Sequence, residues 1–310
     1  MENLVRTQRR SRVSISKMAH HSVRHFFIPE FQPVTRLSVR ASILLLSLAL
    51  LAACASPSST TDSPSPAAPA SEAPRVPRWI PAVDSSWQIQ FSGDLDTSLN
   101  VDIFFLDLFD TPESVIADLH SRGIKVVCYF SAGSFEDWRL DAGDFPEAIL
   151  GSHLDGWPGE RWLDIRELQT LGPIMQSRIR LAVQKGCDGV DPDNVDGYVN
   201  DSGFPLTPDD QLAYNIFLSN AAHQNGLAIG LKNDLQQAEI LLPFFDWALN
   251  EECFYYEECR FLLPFVEAGK AVFVIEYNLT PEEFCFQADN MNFNAMQKEL
   301  ELDAFRFPCR

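Results

Sequence analysis

Four aspartates fall within nine residues of this chain. Asp188 comes first, and the next ten residues, GVDPDNVDGY, add Asp191, Asp193 and Asp196. Polar residues also close other apolar runs: Asp107; Tyr129 and Ser131; Asp164; Lys232 and Asn233; Glu251 and Glu252; Glu276 and Tyr277. Strands commonly exit into solvent, so one polar end means little. Six or seven mostly acidic ends point to a shared pocket. Within GVDPDNVDGY, Asp193 with Asn194 sits at the rim, Asp196 in the following loop, Asp191 deeper on the same face, and Asp188 at the opposite, structural end.

Several chemistries fail on residue type. DPDNVDG follows a calcium loop only loosely, and Ser202 stands where a chelating glutamate belongs. Beyond residue 78 the histidines are His120, His153 and His223. None closes a strand, which disfavours a transition-metal site and a Ser-His-Asp triad. No glycine-rich loop follows a strand, which counts against nucleotides. No cofactor and no metal is expected. What remains is a carboxylate pair in an acidic cleft, the minimal equipment for glycoside hydrolysis. Trp138, Trp157, Trp162, Tyr198, Tyr255 and Tyr256 offer flat faces for stacking on sugars, though each also suits ordinary packing.

These residues need a scaffold that gathers strand ends. Strand-like runs lie at 87–91, 103–109, 125–131, 162–166, 189–193, 228–233, 247–252 and 272–278. They are nearly continuous in apolar character, as strands covered on both faces are. Helices between them open at Thr111-Pro112, Thr207-Pro208 and Thr280-Pro281, with threonine as N-cap and proline at the first helical position. Others close on Gly123, Gly186, Gly226 and Gly269. The pattern predicts a (β/α)8 TIM-type barrel over 79–310, with a doubly wound open sheet as the alternative.

The first 53 residues read as an N-terminal extension and lipoprotein signal peptide. A short apolar run ends in Leu51-Ala52-Ala53-Cys54, which resembles a lipobox and predicts lipidation of Cys54. Residues 54–78, rich in Pro, Ser and Ala, form a tether with too few apolar side chains to fold. The expected protein is extracytoplasmic, lipid-anchored to the bacterial cell envelope or surface, and monomeric. Of the chain's 43 acidic and 24 basic residues, the first 78 hold 4 and 10, which leaves 79–310 with a net charge of −25. Such a surface repels nucleic acid and attracts a cationic polysaccharide. Six cysteines follow Cys54. Cys253 and Cys259 flank a short loop, Cys285 and Cys309 fall in the last helix and the tail, and both pairs are predicted disulfides. Cys128 sits mid-strand and Cys187 at a strand entry, which suits buried thiols and leaves their pairing open.

The segments WQIQFSGDLD, CYFSAG, DGVDPDNVDGY, GLKN and NEECFYYEEC, in that order over about 85–280, resemble glycoside-hydrolase family 114, the endo-α-1,4-polygalactosaminidases. The resemblance implies a (β/α)8 barrel that cleaves α-1,4-linked galactosamine with retention of configuration. It implies Asp193 as nucleophile and Glu251 as acid/base. Glu252 stands where glutamine is usual, which leaves open which glutamate acts. The expected substrate contacts are Asp107, Tyr129, Asp164, Asn194, Asp196, Lys232, Asn233, Glu252, Glu276 and Tyr277. The alternative function is a non-catalytic surface module that holds a cationic glycan.

Overall fold

The computed structural model describes residues 78–310. The expected signal peptide, Cys54 and nearly all of the expected tether lie outside the described residues.

In chain order the strands are β1 (Trp87–Gln90), β2 (Ile103–Asp107), β3 (Lys125–Ser131), β4 (Ser134–Glu136), β5 (Leu150–His153), β6 (Glu160–Leu163), β7 (Gly189–Asp193), β8 (Ala228–Lys232), β9 (Trp247–Glu251), β10 (Val272–Glu276), β11 (Asn294–Gln297) and β12 (Phe307–Pro308). The α-helices are α1 (Glu113–Ser121), α2 (Leu168–Lys185), α3 (Pro208–Gln224), α4 (Ala238–Leu241), α5 (Leu263–Glu267) and α6 (Pro281–Asn290). The main sheet runs β1-β2-β3-β7-β8-β9-β10-β11-β12. Its strands pair in parallel except for the antiparallel β11–β12 pair.

The sheet is curled. Phe105 on β2 and Trp247 on β9 are four strand spacings apart, about 19 Å if the sheet were flat. Their ring centroids are 6.1 Å apart. Trp87, Phe105, Trp247 and Phe273 fill the inner face, and Gly189 and Gly230 leave room for the Trp247 indole. Alternate residues of the same strands, such as Phe104 and Leu106, pack outward in a second core with helix residues such as Ile116, Leu119 and Ile179. Burial on both faces is why these runs read as continuously apolar. The C-terminal segment bridges the sheet edges: Phe91 N–H donates to Leu302 O (2.8 Å), Arg306 to Trp87 O (2.9 Å), and the Trp87 indole to Asn294 O (3.0 Å). The fold is α/β and consistent with a TIM-type barrel.

Three expectations about elements change. Residues 162–166 are not a strand of the main sheet. Their first half belongs to β6, which pairs antiparallel with β4 and β5 in a small sheet inserted after β3. The last parallel strand is β11, whose sequence NAMQ is too short and polar-ended to read as a covered strand. No α-helix joins β1 to β2, so the alternation falls short of eight helices. At the helix starts, Thr207 forms a capping box with Asp210, and Glu283 accepts from the Thr280 N–H at 2.7 Å. Thr111 does not cap, because α1 begins one residue later, with Pro112 at the N-cap position. All four helix-closing glycines adopt the left-handed conformation.

Disulfides join Cys253 to Cys259 and Cys285 to Cys309, with Cα separations of 4.7 and 5.1 Å. Whether Cys128 and Cys187 pair is open along the chain, and the structure decides it. They are buried but bonded to each other, tying β3 to the entrance of β7. A run-by-run reading could not bring together residues 59 apart.

Candidate active site

Parallel pairing sets the site. Tyr129 lies opposite Asp191 and Ser131 opposite Asp193 along β3–β7, so the two polar ends coincide. Next in the sheet, β8 ends in Lys232 and β9 in Glu251. Lys232 is 2% exposed, and its Nζ lies 3.2 Å from Asp193 Oδ1 and 3.3 Å from Glu251 Oε2. One ammonium therefore spans both carboxylates. Two oxygens held this way are at most about 6.5 Å apart, which admits the ~5–5.5 Å of a retaining pair and only touches the ~6.5–9.5 Å range of an inverting one.

Each carboxylate has its own supports. Asp193 Oδ2 accepts from the Tyr129 hydroxyl at 3.0 Å and Oδ1 from the Asn194 N–H at 2.8 Å. Glu251 accepts from the Tyr277 hydroxyl on Oε1 and from Asn233 Nδ2 on Oε2. Asn233 Oδ1 in turn receives the Glu251 N–H (3.0 Å) and Asn250 Nδ2 (3.1 Å). Asn194, Asn233 and Glu252 all take positive φ, between 52° and 63°. Non-glycine residues hold that conformation only where the surroundings enforce it, often at functional sites. Gly133 completes the frame. Its N–H donates to Asp193 O at 3.0 Å, and a Cβ there would lie 1.6 Å from Asn194 O.

Burial works to lower the pKa of Lys232, but Asp193, Glu251 and Asp191 outweigh it and hold the ammonium well above its ordinary range. Below the pair, Asp191 is fully buried with neither oxygen hydrogen-bonded, and burial pushes it up to about 7. Asp196 is pushed up to about 6, by burial first and by Asp193 next. Tyr129 and Tyr277 are held well above 10 by burial and by their carboxylate partners, so both hydroxyls remain donors. Beside Glu251 opens a cleft of about 240 Å³, lined among others by Asp196, Asn233, Asp234, Asn250, Tyr256 and Glu258.

Asp193, Glu251, Tyr129, Asn194, Lys232, Asn233 and Tyr277 thus form one bonded cluster, and Asp196 lines the adjoining cleft. The other expected contacts lie elsewhere. Asp107 is clamped by both terminal nitrogens of Arg139, at 3.0 and 2.7 Å. Asp164 pairs with Arg166 on the inserted segment at 2.7 Å. Glu276 is buried, accepts from Phe254 N–H at 2.8 Å, and is pushed up to about 7 by burial. Glu252 binds the Asn278 amide. Asp191, treated only as the deeper residue, sits against the Lys232 charge. Asp234, one residue past GLKN, carried no signal beyond that adjacency. Glu160, pushed up to about 7 chiefly by burial, was hidden in a segment read as loop. Among the described residues, no group of His, Cys, Asp or Glu is arranged to hold a metal ion.

A family model described as glycoside-hydrolase family GH114 matches residues 67–310. No curated protein matches the chain. Among solved structures, Aspergillus fumigatus Ega3 in complex with galactosamine is 40% identical, over 76% of this chain and 100% of that one, with a TM-score of 0.72. The glycoside hydrolase domain of Pseudomonas aeruginosa PelA is 13% identical over 72% of this chain and 97% of that one, with a TM-score of 0.58, a likeness of fold alone.

Proposed function

The chain belongs to glycoside-hydrolase family GH114 and is a glycosidase, and on that premise we propose that it cleaves α-1,4-linked galactosamine polymers with retention, using Asp193 as nucleophile and Glu251 as acid/base. The observation that carries the reading is the Lys232 ammonium shared by the two carboxylates. It keeps two acidic groups close enough to act on opposite sides of one glycosidic bond.

In the first step Asp193 attacks the anomeric carbon while the protonated Glu251 gives its proton to the departing oxygen. The bond to the leaving sugar breaks and a glycosyl–Asp193 ester forms. In the second step Glu251, now a carboxylate, takes a proton from water as that water attacks the anomeric carbon, whose bond to the Asp193 oxygen breaks and frees the carboxylate. Tyr129 and the Asn194 N–H aim the nucleophile. Tyr277 and Asn233 orient the acid/base, and that choice favours Glu251 over Glu252, which is turned to Asn278. A polymer of free galactosamine is polycationic, which suits a domain of net charge −25.

The curled sheet is read as a (β/α)8-type barrel that lacks a helix after β1. The protein works as a monomer outside the cytoplasm, held by a lipid on Cys54 and a tether over 54–78. In a Cys54→Ser variant, cell fractionation should show release from the membrane; retention would overturn the anchor.

The test of the reaction uses the full chain and a partly N-acetylated α-1,4-galactosamine polymer, with products read by mass spectrometry and anomeric configuration by NMR. Asp193→Asn and Glu251→Gln should each abolish or nearly abolish release, while Glu252→Gln keeps it. Glu252→Gln inactive beside a normal Glu251→Gln would exchange the two roles. Binding of the polymer without products from the parent chain would favour a non-catalytic module.

A further inference from the structure

The small sheet inserted after β3 takes no part in the reaction as described above, yet it carries a buried acid up to the turn that bears Asp193. Along β4–β6, Glu160 lies opposite Glu136 and Trp162 opposite Ser134, so Glu160 and Ser134 are diagonal neighbours on one face. Glu160 is 7% exposed and Ser134 is fully buried. The Ser134 hydroxyl donates to Glu160 Oε2 at 2.8 Å. Burial first, then the charges of Glu136 and Asp193, push Glu160 up to about 7. A carboxyl group held in such surroundings needs a reason to be there.

The reason follows from the hydrogens. Ser131 Oγ accepts from the Ser134 N–H at 3.1 Å and from Asn194 Nδ2 at 2.9 Å. Both of its acceptor positions are then filled, so its own hydrogen goes to Ser134 Oγ, 2.6 Å away. Ser134 Oγ also accepts from Asn194 Nδ2 at 3.1 Å, which leaves its hydrogen for Glu160. Each hydroxyl donates once and accepts twice, and the chain runs one way because it ends on an acceptor. Asn194 can therefore meet the two serines only through its amide nitrogen. The same residue holds Asp193 Oδ1 with its backbone N–H at 2.8 Å and takes left-handed backbone at φ 60°. A non-glycine residue keeps that conformation only where its surroundings enforce it. Without Glu160, the Ser134 hydrogen turns back on Ser131 or Asn194, against the donors already placed there.

We propose that Glu160 is a positioning residue for the nucleophile, acting through Ser134 and Asn194, and that the inserted sheet belongs to the hydrolytic site because it presents this acceptor. The proposal rests on the hydrolytic reading above. The carboxylate, the neutral acid and a glutamine amide all offer an oxygen to Ser134, so the role needs an acceptor and not a charge.

The experiment measures kcat and KM of the full-length protein on a partly N-acetylated α-1,4-galactosamine polymer, together with Tm. Glu160→Ala and Ser134→Ala should each lower kcat about 10- to 100-fold, as a misaimed nucleophile does, with KM nearly unchanged. Glu160→Gln should restore kcat close to that of the parent. Arg161→Ala is the control for the inserted sheet itself. Its guanidinium braces Gly151 O (3.0 Å), Leu150 O (2.8 Å) and Glu147 (2.7 Å) and does not touch the serine chain, so this variant should melt lower and keep its kcat. Ser134→Ala removes one oxygen atom and keeps the proposal testable if Glu160→Ala does not fold. Parent-like kcat in Ser134→Ala, a Glu160→Gln variant as slow as Glu160→Ala, or an equal loss of kcat in Arg161→Ala would overturn the positioning role. A parent enzyme that releases no products would instead overturn the hydrolytic reading itself.

Discussion

Asp191 offers a direct test of the electrostatics under the site. It is 0% exposed, and neither carboxylate oxygen has a hydrogen-bond partner. Burial pushes its pKa from 3.8 up to about 7; Lys232 pulls against that, while Asp193 and Glu251 add to it. Between those values the native state keeps a proton that the unfolded chain has released, so stability falls as pH rises through that window. A shift of about three units at ~1.4 kcal/mol each amounts to about 4 kcal/mol, present near pH 4 and lost by pH 8. Asp191→Asn keeps the shape and removes the titration. At pH 8 the variant should be more stable than the parent by up to about 4 kcal/mol, or roughly 8–16 °C in Tm for a domain of this size. Near pH 4 the two should melt together. Glu160, Asp234 and Glu276 are pushed up to about 7 and Asp196 to about 6, each chiefly by burial, so the parent itself should melt at lower temperature at pH 8 than at pH 4.5. Scanning calorimetry across this range, with disulfides intact, reads both effects. A Tm difference between variant and parent that does not change with pH, or a variant less stable at pH 8, would refute the reasoning.

Three further outcomes follow from particular contacts. Gly133→Ala should cost about 3 kcal/mol or more in urea unfolding and displace Asp193, since the new Cβ meets Asn194 O at 1.6 Å; a fully active, equally stable variant would show that the frame does not depend on this approach. Replacing Cys128 and Cys187 together by alanine should lower unfolding free energy by ~4 kcal/mol through the freed 59-residue loop, against an unchanged urea midpoint if the bond is dispensable. Tyr277→Phe removes a hydrogen bond to Glu251, so kcat should fall about 10- to 100-fold and the pH–rate profile should move, from a charge-assisted bond of ~1.5–3 kcal/mol; a loss confined to KM would assign Tyr277 to binding instead.

Much of this protein is legible along the chain, because the signals are local. Continuous apolar runs mark strands covered on both faces, seven of them in the main sheet. Glycines at helix ends and the Thr207 and Thr280 starts mark the helices, because φ and the first free N–H groups are settled within a few residues. The rule that parallel strands share one polar end brings Asp193, Lys232 and Glu251 to the same mouth. Where pairing partners decide, the chain alone misled. Residues 162–166 read as a covered strand and 294–297 do not, yet the first turns antiparallel into a small sheet while the second completes the main one. Asp107 and Asp164 look like the other strand-end acids, and only the distant Arg139 and the packing around Arg166 take them out of the cluster. The Cys128–Cys187 bond, the single ammonium between two carboxylates, and the orphan oxygens of Asp191, Asp234 and Asn250 all depend on which side chains meet across the curled sheet and on how much water that meeting excludes. Burial and cross-strand contact belong to the folded whole, so tertiary structure alone decided them.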